Sequence, residues 1–143
     1  MFTPRLAALI GAAIAFTLLV PGCKSGSANR VPVYPVKGSV VAKGQGFAHV
    51  RVTFIAQDRQ DGPALETDVL TDLNGQFAAT TYEDGDGLPP GRYAVLLVWP
   101  EVVTDDPAPN SDRLRGRYNN RLKPVFTIEV KPEANTLPPF DLK

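Results

Sequence analysis

One cysteine, one histidine, an acidic glycine loop and an alternating run of arginines are the groups that could do chemistry in this 143-residue chain. Cys23 stands alone, so it has no partner for an intrachain disulfide. His49 also stands alone, and general acid–base chemistry on one imidazole needs oriented partners that the sequence does not place beside it. It is expected at the surface, at the edge of a turn. Glu83-Asp84-Gly85-Asp86-Gly87 gathers carboxylates, but an EF-hand loop needs a glutamate at its twelfth position. Counted from Asp84, that position is Val95, so a solvated turn is expected rather than a metal site. Arg113, Arg115 and Arg117 alternate and would share one face of an extended segment. Such a face suits phosphate or carboxylate groups, which makes these three the candidate weak ligand contacts. Asp105, Asp106 and Asp112 lie close enough in sequence to pair with them instead. Trp99 and Tyr93 read as core residues before they read as a platform for a sugar. The sequence holds no Ser-His-Asp set, metal-ligand cluster or phosphate loop, so no catalytic residue, metal or cofactor is expected.

The elements that must carry these groups are strands. The stretch from Leu70 to Trp99 organises the rest: a strand, Asn74-Gly75, a second strand, the acidic loop, a Pro89-Pro90-Gly91 corner and a long apolar run. Asn-Gly between alternating flanks predicts a two-residue type I′ hairpin. Along Gly91–Trp99, Tyr93, Val95, Leu97 and Trp99 point one way, and Ala94, Leu96 and Val98 the other. Apolar residues on both faces predict a strand inside a sheet and covered on both sides.

Other segments follow the same alternation. Val36 to Val41 makes a first strand, turned by Lys43-Gly44-Gln45-Gly46; Val50, Val52 and Phe54 mark a second. Leu65 to Asp72 carries Glu66 and Asp68 on one side and is expected at a sheet edge. Gln76–Tyr82, Arg92–Trp99 and Val125–Val130 supply three more, and the proline-broken Asn135–Leu142 is a last edge strand. Asp58–Pro63 and the longer Pro100–Asn120 segment are polar loops. Seven short strands without helical periodicity predict an all-β, antiparallel β-sandwich over residues 33–143. The 14 prolines agree, since proline is excluded from helix interiors and central strands.

The first 22 residues differ. Arg5 is followed by Leu6–Val20 without a charge, then Pro21-Gly22-Cys23. A bilayer-spanning helix needs about 20 apolar residues, so this shorter run reads as a secretory signal, drawn as a helix before the domain. Residues 23–32 are small and polar and read as a flexible tether. Formal charge is zero over the whole chain, with 15 bases and 15 acids. Nothing in that balance calls for nucleic acid.

Val20 and Gly22 before Cys23 resemble the bacterial lipobox. The resemblance implies that Cys23 is acylated on sulfur, becomes the first mature residue and tethers the chain to a membrane. Lys24 is not the aspartate that resembles an inner-membrane retention signal, so the periplasmic side of the outer membrane is expected. The domain in turn resembles the carboxypeptidase regulatory-like domains, which are transthyretin-like sandwiches. The residues that carry the likeness are Val36-Lys37-Gly38-Ser39-Val40, Val50-Arg51-Val52-Thr53-Phe54, Thr71-Asp72-Leu73-Asn74-Gly75-Gln76-Phe77 and Leu88-Pro89-Pro90-Gly91-Arg92-Tyr93. Tyr118 and the segment from Phe126 to Leu142 look like the ends of small bacterial lipoproteins built from this one domain.

The family likeness implies a non-catalytic structural or interaction module of the cell envelope. A carbohydrate- or peptide-binding module using Trp99 or the arginine segment is the alternative. A transthyretin-like hydrolase is more remote. That branch uses several histidines, an arginine and a terminal Tyr-Arg-Gly-Ser, whereas this chain has His49 alone and ends Asp-Leu-Lys. Trp99 separates the first two readings: burial favours a scaffold, and exposure beside Tyr82 or Tyr118 favours binding.

Overall fold

Hydrophobic alternation and tight turns are resolved into nine strands and no helix among the described residues, which are 30–58, 65–101 and 111–143 of a computed structural model. The signal segment, Cys23, most of the tether, the greater part of the Asp58–Pro63 loop, and Asp105 and Asp106 lie outside those residues. The chain divides into the units Met1–Arg30 and Val31–Lys143, and the second is described here. It carries its own core, drawn from residues between Val36 and Leu142.

One sheet has four strands in the order β4 (Glu66–Leu70), β3 (Arg51–Ala56), β6 (Gly91–Val98), β7 (Phe126–Val130), all antiparallel. The other is built on β1 (Val36–Ala42), which pairs with β2 (Gln45–Gly46), β5 (Gln76–Ala78), β8 (Asn135–Thr136) and β9 (Phe140–Asp141). The last two run parallel to β1. The expected count of seven antiparallel strands is therefore corrected to nine, two of them in parallel pairs. Pro138 and Pro139 lack the N–H a ladder needs and split the final strand in two. The chain leaves β7 in one sheet and comes back along β1 in the other, which sets the parallel direction.

β4 is an edge strand and β6 an inner one, as their faces require. On the inner face of β6, Tyr93, Val95 and Leu97 join the core; on the opposite face Ala94 and Leu96 are also buried. The two sheets share this core. Phe54 of β3 lies 5.8 Å from Phe77 of β5, and Phe126 of β7 lies 4.9 Å from Phe140 of β9, centroid to centroid.

The type I′ turn falls elsewhere than expected. Lys43 and Gly44 both have positive φ, 51° and 77°, and close the β1–β2 hairpin between Ala42 and Gln45. At Asn74-Gly75 only Gly75 has positive φ, 75°. Its N–H donates to the Asp72 carbonyl, while the Asp72 carboxylate accepts the Asn74 and Gln76 N–H groups at 2.8 and 2.9 Å. The strands on either side do not pair: β4 goes to one sheet and β5 to the other. The turn carries the chain between sheets. A Cβ on Gly75 would fall 2.5 Å from the Phe47 nitrogen and 2.6 Å from the Val40 carbonyl oxygen, so a close backbone approach also selects glycine.

Candidate functional site

A cleft of about 350 Å³ opens where the loop after β2 meets the end of β6. Phe47, His49, Trp99, Pro100, Glu101 and Arg113 line it. Trp99 is half-buried and meets Phe47 edge-on at 4.7 Å between centroids. The Arg113 guanidinium sits 5.0 Å from the Trp99 ring centre, a cation–π contact, and one of its nitrogens reaches the Glu101 carbonyl at 3.3 Å.

Each wall is positioned by one polar side chain, buried Thr71 on one side and half-buried Asp112 on the other. The Thr71 hydroxyl donates to the Phe47 carbonyl at 2.6 Å and accepts the Val50 N–H at 2.9 Å, so one buried side chain clamps both ends of the Phe47–Val50 loop. His49 within that loop has φ of 60°, a left-handed conformation in which histidine is among the better tolerated residues. Its N–H donates to the Thr71 carbonyl. On the opposite wall, Asp112 accepts the N–H groups of Trp99, Leu114 and Gly116, each at 2.9 Å. The Arg113 N–H donates to the Trp99 carbonyl, which places the guanidinium over the indole.

This geometry corrects the arginine expectation. Residues 113–118 form turns, with positive φ at Arg115 and Gly116, so Arg113, Arg115 and Arg117 are not presented as one extended face. Arg113 covers Trp99, and Arg117 bonds the main-chain oxygen of Lys143. Asp112, offered above as a partner for the arginines, spends its carboxylate on backbone N–H groups. Trp99 meets neither simple outcome: it is half-buried, and its neighbours are Phe47 and Arg113. Tyr118 is buried against Phe126 with its hydroxyl at Lys143, and the Tyr82 hydroxyl accepts the Val31 N–H at 3.2 Å. Phe47 was missed as a site residue. It is 52 positions from Trp99, and no local pattern joins them.

Asp86 and Tyr93 serve the local structure. The Asp86 carboxylate turns inward and accepts the N–H groups of Thr81, Tyr82 and Glu83 at 2.7 to 3.0 Å. Burial pushes this carboxyl up, but the backbone donors together outweigh that and hold it below its ordinary value. The acidic loop is thus a carboxylate cradled by backbone. Tyr93 is buried, and its hydroxyl donates to the Pro89 carbonyl at 2.8 Å, closing the Pro-Pro-Gly corner. On the surface, Arg92 forks onto Asp58 at 2.6 and 2.8 Å.

No protein-family model and no curated protein matches the chain. Among solved structures, a 9R-lipoxygenase from Cyanothece PCC8801 is similar over 78% of this chain and 16% of its own, at 13% identity and a TM-score of 0.40. A likeness that weak carries no argument about function.

Proposed function

We infer that the mature protein is a lipid-anchored, non-catalytic β-sandwich module of the bacterial envelope, of the carboxypeptidase regulatory-like type. The observation that carries this reading is the charge-free run Leu6–Val20 leading through Pro21-Gly22 into the only cysteine, Cys23. A thioether-linked lipid gives that thiol a purpose, and two or more acyl chains make a stable anchor. The geometry of the domain supports a scaffold. Residues of the family-like motifs are spent on construction: Gly75 on a turn between sheets, Leu88 on the core, Tyr93 on a corner. The two sheets share one core, which is what a sandwich requires. With Lys24 after the cysteine, the reading extends to the periplasmic face of the outer membrane.

Cell fractionation with mass measurement of the N-terminus tests the anchor. Wild-type protein is expected in the membrane fraction with acyl mass on Cys23. Cys23→Ser is expected soluble or unprocessed, because a hydroxyl cannot replace the sulfur in that chemistry. Wild-type protein without lipid mass would sink the reading.

A second reading, a module that binds a carbohydrate or peptide, is favoured by one observation: a half-buried tryptophan at the mouth of a cleft with a cation over its ring. Trp99 emission titrated with envelope glycans and peptides tests it, and an unchanged spectrum throughout counts against it.

A further inference from the structure

β7 is an edge of the four-stranded sheet, and its main-chain groups divide between two directions. The Gln57 N–H donates to the Arg92 carbonyl. Gln57 stands opposite Arg92 in the β3–β6 register, so even-numbered residues of β6 turn their main-chain groups toward β3 and odd-numbered ones toward β7. The partners of Gly91, Tyr93 and Val95 on β7 are Val130, Ile128 and Phe126. The N–H and C=O groups of Thr127 and Glu129 therefore point away from the sheet, and none of them meets a hydrogen-bond partner among the described residues. An open edge of five residues is about 17 Å long.

Other edges are blunted. β4 carries Glu66 and Asp68, paired with Arg121 and Arg51. On the β8–β9 edge the Asn135 and Leu137 N–H groups turn back to the Pro35 and Lys37 carbonyls, and Pro138 and Pro139 have no N–H. β7 has no proline and one charged side chain, Glu129. Arg92, across the ladder from Glu129, forks onto Asp58 instead. A groove of about 730 Å³ is lined by β7 on one side and by the β8–β9 segment on the other. Phe126, Ile128 and Leu137 line it, half-buried against the core. The Asn135 side chain bonds both the N–H and the carbonyl of Lys131, at 3.0 and 3.1 Å, and so ends the open edge after Val130. The groove shares no lining residue with the Trp99 cleft.

We propose that this edge accepts an extended basic peptide of another protein, which adds to the sheet as a fifth strand. The peptide main chain pairs with Thr127 and Glu129, its inward side chains cover Phe126, Ile128 and Leu137, and an outward lysine or arginine meets Glu129. The unpaired groups specify a backbone as the ligand, because N–H and C=O groups repeating at alternate residues match an extended chain. The apolar floor asks for apolar residues at every second position of that chain. A second copy of this protein is a worse match. Its β7 offers Thr127 and Glu129 outward, so antiparallel pairing sets Glu129 against Thr127 or against the other Glu129 and supplies no cation. The inference goes beyond the anchored reading and does not depend on it.

The protein is purified in detergent as cells make it, and a labelled heptapeptide alternating valine with lysine is titrated by fluorescence anisotropy. Saturable binding is expected, and methylating the peptide's main-chain nitrogens should weaken it about tenfold or more at unchanged charge. Thr127→Pro removes one outward N–H and leaves the bonds to β6 in place, a change that edge strands tolerate. It should keep the thermal midpoint and bind about tenfold more weakly. By NMR, the Thr127 and Glu129 amides should exchange fast in the free protein and slow about tenfold or more with peptide bound, while those of Phe126 and Ile128 stay slow throughout. A valine–glutamate heptapeptide should bind several-fold more weakly, and Glu129→Lys should abolish that preference. Absence of saturable binding, equal binding of the methylated peptide, protection that misses Thr127 and Glu129, or a charge preference untouched by Glu129→Lys would overturn the proposal. So would protection of both amides in the free protein that rises with its concentration, which assigns the edge to a second copy. If Thr127→Pro does not fold, the methylated peptide and Glu129→Lys still decide. The lipid anchor is read separately, from the N-terminal mass in cells.

Discussion

Glycine 75 shows how much one residue can decide. Positive φ strains any L side chain there, and the neighbours of its missing Cβ are backbone atoms of Val40, Gly46 and Phe47, which cannot swing aside. Gly75→Val should therefore cost about 2 kcal/mol or more, read as a lowered thermal midpoint; an unchanged midpoint would contradict the close approach. Asp86 works through charge. Its folded carboxyl titrates below the ordinary value of 3.8, so the stability it contributes is fully present above that pH and is lost as pH falls through the folded value. Asp86→Asn should be destabilised near neutral pH, where the backbone donors have lost an anion. The gap from wild type should close as pH drops below 3.8. Melts across the acid range check this, and a gap that widens toward low pH would refute it.

Among the elements, the Phe47–Val50 loop depends most on a single side chain. The Thr71 hydroxyl serves one half-buried acceptor and one buried donor. Thr71→Val keeps the shape and strands both, which should cost about 1 to 3 kcal/mol. Because Phe47 packs on Trp99, the same variant should shift tryptophan emission in the folded state. A destabilised protein with unaltered emission would mean that Thr71 supports the fold without setting the cleft. The arginine segment illustrates a different dependence. Alternation promised a shared face, but alternation has that meaning only in an extended chain. Asp112 collecting N–H groups, with Gly116 four residues later, turns the segment instead. That aspartate–glycine spacing was present in the sequence as a turn signal and competed with the alternation.

For the whole molecule, anchor and fold should be separable. Among the described residues, the core is drawn from the unit Val31–Lys143, so Cys23→Ser should leave the thermal midpoint of the folded domain where it was while changing its location in the cell. A large shift in that midpoint would mean that the segment before Val31 contributes to folding.

The sequence by itself determined what short range controls. The places of the longer strands β1, β3, β4, β6 and β7, the inner position of β6, the edge position of β4 and the glycine at 75 could be read because side-chain period and backbone sterics act within a few residues; the short β2, the brief β5 and the split of the last strand could not. Tertiary structure decided which strands pair. Asn74-Gly75 carries the chain between sheets, since β4 finds β3 and β5 finds β1; a local turn preference does not specify partners distant in the chain. The parallel pairing of β8 and β9 has the same origin. So does the cleft: Phe47, Trp99 and Arg113 come together because Thr71 and Asp112 hold two remote loops against each other, and contacts made across such separations exist only once the chain has folded.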